Sequence, residues 1–177
     1  MKNFILGLIS GIILVPALVA YYLVSGRAPA ATTDPPMPFE RLIASKALKN
    51  KIQSEMPITV PISSNEVTLL TGAQVYRKNC AMCHGLPHQP APEVSSGMFP
   101  KAPQLFEPDE MVTDDKPGET FWKAKNGIRL TGMPSFAAAL SEQQIWQVSL
   151  LLANADKLPA SVQQALAAPV AATSPAK

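Results

Sequence analysis

Cysteine and histidine are scarce. The 177 residues hold two of each, and all four fall within positions 80–88. Two cysteines three positions apart cannot build the disulfide framework of a small secreted scaffold. Four potential ligands crowded into one stretch also lack the long spacer that separates the ligand pairs of a zinc finger or ribbon. A thioredoxin-like dithiol wants a βαβ context, and no such alternation surrounds Cys80 and Cys83. Charge imbalance is missing too: 15 Lys and Arg stand against 13 Asp and Glu, a net charge of +2. That leaves no electrostatic footprint for nucleic acid. The acidic stretch at 107–119 lacks the compact spacing of a calcium loop and reads as a solvated segment. No internal repeat and no second cofactor motif is visible.

What the scarce residues do form is Cys80-Ala81-Met82-Cys83-His84. C-x-x-C-H is the spacing for covalent haem attachment. Two thiols on one helical turn can each add across one of the porphyrin's two vinyl groups, and the next residue then lies under the ring with an imidazole nitrogen for iron. His88 follows His84 too closely to reach the opposite face of the ring, and is expected to be an exposed loop histidine.

The second conspicuous stretch is the uncharged run at residues 4–24. At 1.5 Å per residue it reaches about 30 Å, the thickness of the hydrocarbon layer. Gly7, Gly11 and Pro16 are tolerated in membrane helices, and Tyr21 and Tyr22 suit the interface. The alternative is a signal peptide cut near Ala28-Pro29-Ala30, although the apolar region of such a peptide is shorter. Lys2 before the run and Arg27 and Arg41 after it leave the positive-inside count close to a tie.

Residues 28–38 are small and Pro-rich and read as a semi-extended tether. Residues 39–55 read as a helix with Phe39, Leu42, Ile43, Leu48 and Ile52 partly on one face and Arg41, Lys46, Lys49 and Lys51 elsewhere. Ser63-Ser64-Asn65 supplies an N-terminal cap for a helix running toward Cys80, and residues 85–106 form a loop. Residues 118–125 read as a short helix ended by Asn126-Gly127, with Phe121 and Trp122 as core and cofactor-wall residues. Ser141-Glu142-Gln143-Gln144 is a capping-box pattern opening a helix that contains Trp146. Residues 160–177 carry no packing pattern and are expected to be a frayed helix followed by a disordered tail, with 161–177 set apart as the tail.

Gly72 and Tyr76 before Cys80, then Met133-Pro134, then Trp146 in the last helix occur in the order of the class I cytochrome c family. The region from about residue 63 to 159 resembles that family. The resemblance implies an all-α domain around one covalent haem c, attached through Cys80 and Cys83. Iron would be bound by His84 and Met133, with Met98 the main rival for the second position. It also implies that Gly72 and an aromatic at Tyr76 meet the last helix. A proline carbonyl, Pro103 first and Pro100 second, would accept a hydrogen bond from His84. Arg129 is either a partner for a haem propionate or a plain surface charge.

The expected organisation is therefore a membrane anchor at 1–27, a tether with an amphipathic helix at 28–62, the cytochrome c domain at 63–160 and the tail at 161–177. Because haem is attached after export in cytochromes of this type, the resemblance puts the domain on the periplasmic side of the inner membrane. The expected function is that of an electron carrier, not itself an enzyme, passing single electrons between redox proteins. Lys78, Lys101, Lys123, Lys125 and Arg129 are the expected docking charges. The alternatives are a cytochrome subunit of a dehydrogenase or oxidase complex and a gas-binding haem sensor. The sensor reading is opposed by the long stretch that follows the attachment motif.

Overall fold

A computed structural model describes residues 1–168. Among them every regular element is a helix: α1 Lys2–Val24, α2 Glu40–Glu55, α3 Glu66–Asn79, α4 Ala81–His84, α5 Glu93–Ser96, α6 Pro117–Asn126, α7 Glu142–Ala153 and α8 Ala160–Ala167. The chain divides into two units, Met1–Ala44 and Ser45–Lys177.

In the first unit, α1 buries none of its residues. Its mean hydropathy of 2.4 and its length are enough to cross a bilayer, which supports a membrane anchor. Pro16 lies inside the helix. The segment after it is less extended than its composition suggests. The Asp34 carboxylate accepts from the Ala30 and Ala31 amides, each at 2.9 Å, and the Asp34 amide donates to Ala31 O at 3.0 Å. Aspartate competes well for local backbone donors, and these bonds hold its carboxyl below the usual range.

The second unit begins well before residue 63. Ile52 near the end of α2 is 2% exposed, and Trp122 Nε1 donates to Glu55 Oε2 at 3.1 Å. The expected apolar face of α2 is thus divided: Ile52 is buried, whereas Leu42 and Ile43 are exposed. Adjacent helical positions lie about 100° apart; Phe121 takes the core side, stacked on Trp146 at 4.2 Å, and Trp122 faces Glu55.

The core is a crossing of α3 with α7, with α6 and α8 packed around it. Both crossing helices begin on side-chain caps. Asn65 Oδ1 accepts from the Thr68 amide at 2.9 Å. At Ser141 the bonds are reciprocal, Gln144 N to Ser141 Oγ at 3.3 Å and Ser141 N to Gln144 Oε1 at 2.9 Å. Gly72 permits the crossing, because a β-carbon there would lie 2.4 Å from the Gln147 carbonyl oxygen and 3.2 Å from Leu151 Cβ. Gly72→Ala therefore opposes a helix-propensity gain of about 1 kcal/mol with an overpacking cost of about 3 kcal/mol. A net loss of about 2 kcal/mol is expected in chemical unfolding.

The segment expected to be tail is helical as far as residue 167. Val162 and Leu166, one turn apart on α8, are both 0% exposed. Arg77 on α3 donates to Ala165 O at 3.0 Å and Ala168 O at 2.6 Å, meeting the carbonyls that a helix end leaves unpaired. Burial of that pair and this cap overcome a sequence of weak pattern. Residues 169–177 of the expected tail lie outside the described residues.

Candidate haem-binding site

The attachment motif continues α3 by one turn. Cys80 N donates to Tyr76 O at 2.8 Å, Cys83 N to Cys80 O at 3.1 Å and His84 N to Cys80 O at 2.9 Å. The two thiols are therefore displayed on a single turn, half-buried and not bonded to each other. Burial, with the neighbouring Cys83 adding to it, pushes the Cys80 thiol up to about 12. A dithiol built for exchange needs the opposite, a lowered thiol pKa, so the redox-disulfide reading has no support here. Among the described residues no group of three or more His, Cys, Asp or Glu side chains converges to hold a metal ion.

The end of the motif is fixed from beneath. The Tyr76 hydroxyl donates to Gly85 O at 2.9 Å and to His84 O at 3.1 Å. Burial raises the phenol's pKa, so the donor keeps its proton. Phe106 packs edge-on against the Tyr76 ring, with centroids 5.1 Å apart.

His84 is oriented by its outer nitrogen. Nδ1 lies 2.8 Å from Pro103 O; a carbonyl can only accept, so Nδ1 carries the proton and Nε2 keeps a free lone pair. Of the two prolines expected for this role, Pro103 is the one in place. Burial lowers the His84 pKa, opposed by the Pro103 bond and by the charge of Glu110. The neutral ring that results is the form that binds metals.

Two further residues hold this loop, and neither was visible in the sequence. Gln104 Nε2 reaches Cys83 O at 3.3 Å and Ala102 O at 3.0 Å, and the Glu110 carboxylate accepts from the Gln104 amide. Glu110 thus places a negative charge beside the histidine loop. A negative charge in that position favours the oxidised, more positive state of a bound iron, by an amount that solvent screening at an exposed carboxylate keeps small, on the order of tens of millivolts. Glu110→Gln is expected to raise the reduction potential by about that amount in a spectroelectrochemical titration.

Met133 is half-buried on a loop stitched to the end of α6. Ile128 N donates to Met133 O at 3.1 Å, Met133 N to Thr131 Oγ1 at 3.1 Å, and Thr131 Oγ1 to Ile128 O at 2.8 Å. Phe136 N returns to Ala124 O at 3.0 Å and Ser135 Oγ to Lys125 O at 2.6 Å. Gly127, at φ +69°, lies directly under this strand of chain, and a β-carbon there would sit 2.6 Å from Ser135 N. Met98 rests against Gly132. His88 is exposed on its loop, as is Met82 within the motif.

Of the expected docking charges, Lys123 is engaged by Asp115 at 3.2 Å and by Glu119 at 2.7 Å. Lys125 pairs with Glu142 and lies over the Phe121 ring. Lys78, Lys101 and Arg129 are exposed without an ion-pair partner among the described residues.

The attachment turn fits haem c: it offers two thiols on one turn and an imidazole with its outer nitrogen occupied. Residues 67–150, from the first turn of α3 into α7, match the family model described as cytochrome c oxidase, cbb3-type, subunit III. That match places residues 67–150, just under half of the chain, in the c-type cytochrome family. No curated protein and no solved structure matches it. The chemistry of a c-type cytochrome is haem-based electron transfer, and the all-helical fold around α3 and α7 is consistent with the class I, monohaem form.

Proposed function

We propose that this c-type cytochrome is a membrane-tethered carrier of single electrons with one haem, facing the periplasm from the inner membrane. The observation that carries the reading is His84, which closes the attachment turn with Nδ1 bound to Pro103 O at 2.8 Å and Nε2 free. Cys80 and Cys83 would hold the cofactor through thioether bonds, with His84 Nε2 and Met133 Sδ as the axial ligands. Bound haem supplies a one-electron couple. The rest is the work of the chain. His84 and Met133 would together leave no position for substrate, which favours a carrier over a gas sensor. A soft thioether ligand favours the reduced state and raises the potential. The Tyr76, Pro103 and Gln104 hydrogen bonds on one side and the 127–136 stitches on the other fix both ligands, so little need rearrange when the charge changes. Of the expected docking charges, Lys78, Lys101 and Arg129 are the ones without an ion-pair partner among the described residues, and they are available to an acidic partner.

An absorption spectrum of oxidised and reduced protein from a haem-maturation-competent host tests this. Colour that survives acid–acetone extraction and a weak far-red sulfur-to-iron band are expected. A colourless polypeptide after extraction overturns the reading.

The family description favours a second reading, a cytochrome subunit of a terminal oxidase. The chain would then deliver electrons to a catalytic polypeptide in the same complex. Copurification from solubilised membranes with oxygen-reducing activity is the outcome expected of that reading; isolation as a lone chain from those membranes favours the free carrier.

A further inference from the structure

The loop that carries Met133 is held from a second direction. Met98 lies along Gly132: a β-carbon on that glycine would stand 2.9 Å from Met98 Sδ, 3.1 Å from Cε and 3.4 Å from Cγ. The outer part of the methionine side chain thus lies against the face of the loop that carries no side chain, one residue from the proposed iron ligand. Met98 is itself anchored. Its amide donates to Ser95 O at 3.3 Å. Ser95 is 4% exposed, and its hydroxyl donates to Pro92 O at 2.7 Å. On the opposite side, Gly127 and Ile128 grip the Met133–Ser135 backbone. The segment from 127 to 133 is therefore clamped between the end of α6 and the α5 loop.

We propose that Met98 is a positioning residue for Met133: it packs on Gly132 and keeps the ligand loop closed without binding iron itself. The inference rests on the reading that Met133 is the sulfur ligand. An unbranched, polarisable thioether suits such a contact, because it can follow small shifts of the loop without losing it. Gly132 leaves room for that contact, since a β-carbon there would displace the outer atoms of Met98.

Closure of the loop can be read as competition. An external imidazole binds ferric iron only in the fraction of molecules whose loop is open, so its apparent affinity tracks that fraction. In the full-length holoprotein, Met98→Ala is expected to raise the apparent affinity for imidazole about tenfold, equivalent to about 1.4 kcal/mol. Its far-red band should remain when imidazole is absent. Met98→Leu keeps the volume without the sulfur and should stay within about threefold of the wild type. Gly132→Ala pushes Met98 aside and should move the affinity in the same direction as Met98→Ala.

Unchanged imidazole affinity in Met98→Ala, in protein of wild-type haem content, overturns the proposal. Loss of the far-red band in Met98→Leu does so as well, because Met98 would then be the ligand. The underlying reading fails separately: it falls if Met133→Ala retains the band.

Discussion

Met133→Ala is expected to lower the reduction potential by on the order of 0.2 V and to let carbon monoxide bind the reduced protein directly. Axial ligation spans roughly 0.8 V across haem proteins, and exchange of a thioether for water or for no ligand is a substantial step within that range. The size follows from what the thioether does. It donates weakly to ferric iron and well to ferrous iron, so its removal costs the reduced state more. The surrounding loop should survive the change, because its stitches run through backbone and Thr131, not through the methionine side chain: Ile128 N to Met133 O and Met133 N to Thr131 Oγ1, both 3.1 Å. A variant that keeps the wild-type potential and excludes carbon monoxide would remove Met133 from the site.

The largest effect is expected from replacing both attachment thiols. Cys80→Ser with Cys83→Ser should give protein from which acid–acetone extracts all colour. A covalent link holds the cofactor at an effective concentration in the millimolar range or above whatever the strength of the iron bonds. Without it, retention rests on His84, Met133 and apolar contact alone. The domain should suffer as well. Tyr76 and Ala73 are fully buried and Val75 nearly so on the helix leading into the motif, so loss of the cofactor would remove packing next to the buried core cluster of α3 and α7. Thermal unfolding and a pyridine haemochrome assay of the extracted polypeptide measure the two consequences. Retention of colour in the doubly substituted polypeptide would show that these thiols do not make the attachment.

Much of this architecture could be read from residues close together in sequence. The uncharged run at 4–24 foretold α1, Lys2–Val24. Ser141 and Gln144 foretold the start of α7, because a capping box is a local device. Gly72 was legible through resemblance, and its close approach to Gln147 gives the physical reason. What escaped depends on contacts between distant segments. Arg77 caps a helix ninety residues downstream, Glu110 braces Gln104 through a loop, and Trp122 turns toward Glu55. For α8 a signal was present and faint: Val162 and Leu166 are one turn apart, enough for a helix face yet easily lost among alanines. The tether misled because Asp34 folds its neighbours through a side-chain bond that composition does not reveal.

The arrangement of α3, α7 and α8 has a consequence for the order of manufacture. As the polypeptide emerges from its N-terminus, Cys80 and Cys83 appear long before the two helices that pack on α3 have been made. During that interval the thiols stand on an open chain, where, on the proposed reading, they would be within reach of whatever joins them to a porphyrin. Once α7 and α8 have docked, burial holds the Cys80 thiol in its protonated form and leaves it less open to such a reaction. Stitching should therefore precede closure, and a chain that folds too soon is the one that stays colourless.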